Sequence, residues 1–306
     1  AGPFASYESA ERFAQQWRGL GVPVVLVQPA DWEVWAPPQA PAPPGQVPVR
    51  QERERQTQAV VPVLIQAGGP PLPLQAPLQL EAPGGLRWQG GIYAGPFRLQ
   101  GDAHGSWTLV EQVPLERYLE GVVPHEIGAA APAEALATQA VLARTWALSN
   151  LQRYQTEGYH LCATVQCQVY SDPRAASAAV RRALQRTRGL VLSWQGLPIH
   201  AVYHASNGGV AASLDEAWDA TPQPYLRAAL DRQGPPAAAL PLGAGDLTRL
   251  LRAAQGWVGG DHPLFRWTQD LDRDQIASAL GQRGIRVGQI ERLEVLERGP
   301  SGRVVA

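Results

Sequence analysis

Pro114-Leu115-Glu116-Arg117-Tyr118-Leu119-Glu120-Gly121-Val122-Val123-Pro124-His125-Glu126 is the stretch on which the fold of this chain turns. Leu115 to Leu119 begins a short helix, and Val122-Val123-Pro124 leads the chain out of it towards Glu126. Pro132 suits the first position of the next helix, with Glu134 in its first turn. That helix runs to about Tyr154, and Leu136, Ala140, Ala143, Ala147 and Leu151 form its core stripe. It carries Ala143-Arg144-Thr145-Trp146-Ala147-Leu148, and its alanines permit close packing against a neighbour. Beyond it lies Cys162-Ala163-Thr164-Val165-Gln166-Cys167-Gln168-Val169-Tyr170. Asp172 and Pro173 then start a second helix that Gly189 ends. Leu190 to Trp194, a Gln-Gly turn and Ile199 to His204 make a hairpin, followed by Ala205-Ser206-Asn207-Gly208-Gly209.

Outward from this core the chain is β-rich. Val60 to Ile65 reads as an edge strand because of Pro62. Leu72, Leu74, Leu78 and Leu80 alternate as in strands with one buried face, and Gln51 to Gln58 is a charged patch. Trp88 to Leu99 and Ser106 to Val113 read as strands around a Gly-His-Gly turn region, in which no chemistry is evident. On the far side, Asp246 to Gln255 and Arg273 to Leu280 read as helices, and Arg266 to Leu271 and Ile290 to Glu297 as strands. At the other end Ser6 caps a helix from about Tyr7 to Arg18, with Phe13, Trp17 and Leu20 at helical spacing, and Val22 to Val27 follows as a strand. Ala36 to Pro48 is a Pro/Ala-rich, extended linker. The expected fold is α+β: β-rich entry and exit segments flank a core of two main helices and a hairpin, with a small N-terminal α/β appendage. The expected boundaries are 1–36 for the appendage, 37–50 for the linker and 51–306 for the main domain, whose motif core is 114–230.

Composition narrows the function. Of 306 residues, 45% are hydrophobic and 17% charged, which is globular. A net charge of −1 gives no electrostatic reason to expect nucleic acid or an anionic membrane surface. All 26 basic residues are arginine, so Schiff-base chemistry on lysine is excluded. No run of 18 apolar residues appears, so no membrane span is expected. The sequence has no methionine, even at position 1, which reads as a processed or trimmed chain without its export signal.

The ordered motifs, Leu115-Glu116 through Tyr118, Leu119, Gly121-Val122-Val123 and Glu126, then Ala143 to Leu148, Cys162 to Tyr170 and Ala205 to Gly209, resemble the SpoIID/LytB family of sporulation and cell-wall proteins. The resemblance covers roughly residues 85–300. Enzymatic members of that family are peptidoglycan lytic transglycosylases, and other members are amidase enhancers. It therefore implies an extracytoplasmic protein, in periplasm or cell wall, with peptidoglycan glycan strands as partner and a cell-wall amidase as a second candidate partner. Gly2-Pro3-Phe4-Ala5-Ser6, Ala10-Glu11 and the following strand resemble half of a SPOR repeat, a module that binds bare glycan strands. A helical decoration on the main domain is the alternative there.

The resemblance places the catalytic acid/base at Glu126, just ahead of the Ala/Gly stretch 128–131 and of the next helix N-terminus. Arg144 is the second catalytic candidate, its partner being Glu126, a backbone carbonyl or a substrate group. Ser206, Asn207, Gly208 and Gly209 offer polar backbone to a sugar, and Tyr170, Tyr203 and Trp218 offer faces for stacking. Glu216, within Asp215-Glu216-Ala217-Trp218, is the one evident second carboxylate, whose approach to Glu126 would favour hydrolysis. The resemblance implies that this loop can carry a metal, with histidines helping the cysteines, and Cys162, Cys167 and His160 are the candidate ligands here. Only three ligands are evident, and an exported protein favours a disulfide, so no cofactor is expected.

Overall fold

A computed structural model describes residues 1–45, 47–50, 63–65, 68–75, 77–218, 220–234, 239–252, 255–282 and 285–305. The charged patch at 51–58, Val60 and Pro62 lie outside them. The fold is α+β, as expected. Among the described residues the helices are α1 (Tyr7–Gly19), α2 (Leu115–Ile127), α3 (Ala133–Ser149), α4 (Ala178–Arg186), α5 (Leu214–Trp218), α6 (Ala244–Arg252) and α7 (Arg273–Gln282), alongside several small antiparallel sheets. None of these helices is long and apolar enough to cross a membrane.

The chain divides into two compact units, one of Ala1 and Gly21–Tyr203, the other of Gly2–Leu20 and His204–Ala306. This division runs through the stretch 1–36. In the second unit, Ser6 caps α1 through a reciprocal pair with Ser9, and Phe13 packs between Phe4 and Trp17. Leu20 stays outside the helix and exposed. In the first unit, Val25–Val27 pairs with Glu33–Trp35. Trp32, 1% exposed, sits against Tyr154 at 5.1 Å and donates to Gln166.

The core of the first unit is helical. Leu119, Val122 and Val123 of α2 meet Leu136, Ala140, Ala143 and Ala147 of α3, and Val180, Ala183 and Leu184 of α4. Removing each large aliphatic side chain from water contributes roughly 1.5–3 kcal/mol. Contrary to the expectation of a short helix, α2 continues through Pro124 to Ile127 and stops at Gly128, whose φ of 85° suits glycine. Pro124 has no N–H to give the carbonyl of Glu120, four residues earlier, so the helix forgoes one bond there; one residue on, Gly121 O accepts from Ser171 N at 3.1 Å and contacts His125 Nδ1 at 2.8 Å. α3 ends at Ser149, and Leu151 is exposed beyond it. The helix expected from Asp172 is instead a 3-10 turn, Pro173–Ala175, followed by α4 with Ser177 as its own cap.

A three-stranded sheet, 78–80, 97–101 and 107–111, leads into α2. The two-residue hairpins at Gln89-Gly90 and Gln195-Gly196 both have positive φ at the two turn positions. In the second unit, the strands expected at 266–271 and 290–297 are irregular backbone, and only an isolated bridge, Arg298 to Val304, forms there.

Candidate functional site

Glu126 is the penultimate residue of α2 and is half-buried. It lies at the partly negative C-terminal end of its own helix, with α3 beginning seven residues later at Ala133. The helix end nearest Glu126 is therefore the C-terminus of α2 and not the N-terminus of α3. Its Oε1 accepts the backbone N–H of Val169 at 2.9 Å, and the Tyr203 hydroxyl reaches the same carboxylate.

Gly121 makes that contact possible. A Cβ there would lie 2.5 Å from the Ser171 carbonyl oxygen and collide with the Tyr170 ring. With glycine, the segment 168–171 runs directly along α2, and each residue of Gln168-Val169-Tyr170 has a distinct task. Gln168, 1% exposed, accepts from Tyr118 Oη at 3.2 Å and donates through Nε2 to Tyr203 Oη at 3.0 Å. Tyr203 in turn faces Glu126, so all donors point one way: Tyr118 to Gln168 to Tyr203 to the carboxylate. Such a chain fixes the amide orientation of Gln168 and polarises each link.

Burial first, then the Glu126 charge, pushes the Tyr203 hydroxyl well above its ordinary range. Burial likewise raises Tyr118, with the Tyr203 and Glu126 charges adding to it. Both phenols stay protonated donors at any physiological pH. The buried Gln139 amide nitrogen has no hydrogen-bond partner, yet lies close enough to Tyr203 to bias its oxygen.

Several expected site residues have other tasks. Arg144 does not meet Glu126. It is 1% exposed and forks onto Glu116, Nε to Oε1 at 2.8 Å and Nη2 to Oε2 at 2.9 Å. Its Nη1 donates to the Ala140 and Leu190 carbonyls. Thr145 accepts the Leu192 N–H at 3.0 Å, so Arg144 and Thr145 together moor the hairpin that leads to Tyr203. The Arg144 guanidinium is thus engaged by Glu116 and two backbone carbonyls, an arrangement that positions the hairpin. Tyr170 is not free to stack on a sugar from both sides: Tyr118 lies at 5.1 Å nearly parallel and Tyr93 at 5.7 Å, while its hydroxyl donates to Glu111 at 2.6 Å. Tyr118 and Tyr170 also line an aromatic cleft of about 1170 Å³ with Trp88, Tyr93 and Tyr159, and Glu126 is not part of its wall.

Cys162 and Cys167 are joined as a disulfide with Cα atoms 5.7 Å apart, and His160 is exposed nearby. The bonded sulfurs are not available as thiolate ligands.

Ser206, Asn207, Gly208, Gly209, Glu216 and Trp218 belong to the second unit, whereas Glu126, Tyr170 and Tyr203 belong to the first. Asn207 is consumed internally, accepting from Gly209 N at 2.8 Å and donating to Asp231 at 2.7 Å. Ser206 Oγ accepts from Gly208 N at 3.3 Å. The Gly208 carbonyl accepts from Arg266, and Gly209 packs so close to Trp257 that a Cβ would fall 2.9 Å from its ring. Both glycines thus lie against neighbouring groups of the second unit. Glu216 is held by four donors, Ser213 N and Oγ on Oε2 and Ser301 N and Oγ on Oε1, at 2.7 to 3.0 Å. Burial alone would raise its carboxyl, but these hydrogen bonds outweigh it and hold it below the usual range. Gly299 leaves the room Glu216 needs, since a Cβ there would lie 2.5 Å from its carboxyl carbon. Trp218 closes α5, partly exposed.

The residues that the sequence pointed to without assigning a role are Tyr118, Gln139, Gln168 and the Val169 N–H. Three of them sit inside the quoted motifs, where aromatic and charged side chains drew attention from a glutamine and a main-chain donor.

Residues 103–194 match the model of the family described as Stage II sporulation protein, SpoIID, and residues 212–306 match a separate domain of unknown function, DUF8618. The resemblance over roughly residues 85–300 thus runs beyond the first match into the second. The chain is 35% identical over 117 residues to the amidase enhancer of Bacillus subtilis (strain 168), covering 38% of this chain and 16% of that protein. It is 28% identical over 143 residues to an uncharacterized protein of Brachyspira hyodysenteriae, covering 46% of this chain and 37% of that one. It is 29% identical over 133 residues to stage II sporulation protein D of Bacillus amyloliquefaciens, covering 39% and 38%. The chain thus spans less than two-fifths of the length of each of these relatives. The Leu115–Glu126, Ala143–Leu148 and Cys162–Tyr170 segments fold together within residues 103–194, the part of the chain that is similar to the SpoIID family.

Proposed function

We propose that this protein cleaves the glycosidic bond of peptidoglycan glycan strands without water, leaving 1,6-anhydro ends, with Glu126 as general acid and then base. The observation that carries this reading is a single half-buried carboxylate, Glu126, held by one backbone N–H and one phenol, at the end of an oriented chain of donors. The other candidate carboxylate, Glu216, is saturated by four donors. One-carboxylate chemistry suits this inventory. The Glu126 carboxyl gives its proton to the glycosidic oxygen as the C1–O bond breaks and positive charge grows on the sugar. The substrate's own 6-hydroxyl oxygen then attacks C1, and its proton returns to Glu126. Val169 N–H and Tyr203 steady the carboxylate between the two transfers. The extracytoplasmic setting belongs to the same proposal, and the disulfide suits an oxidising compartment.

A second reading has its own support: the similarity to an amidase enhancer makes an auxiliary role on a wall amidase the alternative. Digestion of purified glycan strands, with and without stem peptides, separates the two. Anhydro-ended products that vanish in Glu126→Gln support the lyase. Absence of such products together with faster turnover by an added amidase supports the enhancer and overturns the lyase.

A further inference from the structure

Outside the Glu126 site, one other cluster in the first unit brings chemistry-bearing groups together. The turn after strand 97–101 is tied by Asp102, whose Oδ1 accepts the N–H groups of His104 at 3.1 Å and Ser106 at 2.6 Å. Its other oxygen, Oδ2, is thereby aimed at His104 Nε2, 3.5 Å away. From the 3-10 turn Gln155–Glu157, Glu157 reaches the same place. Its Oε2 accepts Ala103 N–H at 2.7 Å, while Oε1 is buried, accepts no hydrogen bond, and lies 4.0 Å from His104 Nε2. Glu157 is 5% exposed. One atom from each of the three residues lies within 4.8 Å of the other two, on the wall of a cavity of about 220 Å³ that Tyr159 and Thr164 also line.

A buried carboxylate oxygen without a donor is left with its desolvation cost uncompensated. His104 does not remove that cost, because 4.0 Å is outside hydrogen-bond range. Even as imidazolium, it would leave two carboxylates against one positive charge.

We propose that Asp102, His104 and Glu157 form a divalent-metal site of the zinc or manganese type. One imidazole and two carboxylates are the donor set of such ions, and three protein ligands leave a coordination position open. Bonds of roughly 2.0–2.2 Å require the three side chains to draw inward slightly. None of the three belongs to the set of Cys162, Cys167 and His160, and the disulfide takes those sulfurs out of play. The site binds the 102–106 turn to the 155–157 turn.

The test uses the full chain with its disulfide intact, stripped with EDTA and titrated calorimetrically with zinc and with manganese. The expected result is one equivalent bound and a raised Tm, with at least tenfold weaker binding in His104→Ala and in Glu157→Gln. The Cys162→Ser/Cys167→Ser double variant should still bind. Asp102→Asn, which retains a turn-forming acceptor, stands in should either substitution fail to fold. No binding of either ion, binding that survives His104→Ala, or binding lost only in the cysteine variant overturns the proposal. Glycan cleavage is not part of the readout, so this result is independent of the reading of Glu126.

Discussion

Glu126 and Glu216 are both half-buried carboxylates within quoted motifs, one in each compact unit, yet their surroundings differ sharply. Glu216 accepts four hydrogen bonds that join α5 to the 299–303 turn. Glu126 accepts one backbone N–H and meets one phenol. A carboxylate whose lone pairs are filled by fixed donors is a structural staple, because protonating it breaks the bonds that hold it. One with capacity left over is available to exchange a proton with a ligand.

Exchanging the two glutamates for glutamine breaks the comparison most severely. Glu126→Gln should cost about 10²–10⁴-fold in glycan cleavage while the melting temperature hardly moves. Glu216→Gln should do the reverse, lowering Tm with cleavage rates near normal. Equal effects in the two variants would show that the division of roles is wrong. Next in size is Arg144→Met, which strands Glu116 and two carbonyls. About 3 kcal/mol of stability should go with it, measured by urea denaturation. As a positioning residue it should also lower kcat through Tyr203, and an unchanged kcat would detach the hairpin from the site.

Gly121→Ala and Gly299→Ala sharpen the contrast. Each forces a methyl group into filled space, at a cost of about 1–3 kcal/mol. Gly121→Ala alone should also impair cleavage, because it displaces the segment that presents Val169 N–H. Reduction of Cys162–Cys167, which closes a short loop, should cost about 2 kcal/mol and loosen the adjoining Gln168. Equilibrium unfolding with and without reductant measures it.

The smallest effect is on acid stability. The folded carboxyl of Glu216 lies below its ordinary value of 4.5, so its contribution is complete above that pH. It is lost as pH falls through the folded value. The wild-type Tm should therefore fall more steeply below pH 4.5 than that of Glu216→Gln, and parallel curves would remove the staple.

Much of this was legible in the residues. Ser6 capped its helix as its side chain dictates, the alanine stripe of α3 became the helical interface, and Gln195-Gly196 turned its hairpin, whereas Gln89-Gly90 put a turn inside the stretch 88–99 expected as one strand. Pro124 misled, because a proline in the last turn costs one hydrogen bond, to the Glu120 carbonyl, while the packing of Val122 and Val123 in the helical core keeps the helix going. Arg144 misled for a related reason. Helical spacing shows that it leaves a small apolar face, but its partner sits 28 residues away on another helix.

By itself, then, the sequence determined the helices that carry the motifs and the ordered motifs that make residues 103–194 similar to the SpoIID family. Only the tertiary structure decided which carboxylate is saturated and which is not, that Gln168 links Tyr118 to Tyr203, and that Asp102, His104 and Glu157 converge. The reason is physical: propensity and periodicity act over a few neighbouring residues, whereas a hydrogen-bond partner is chosen by packing among residues far apart in the chain.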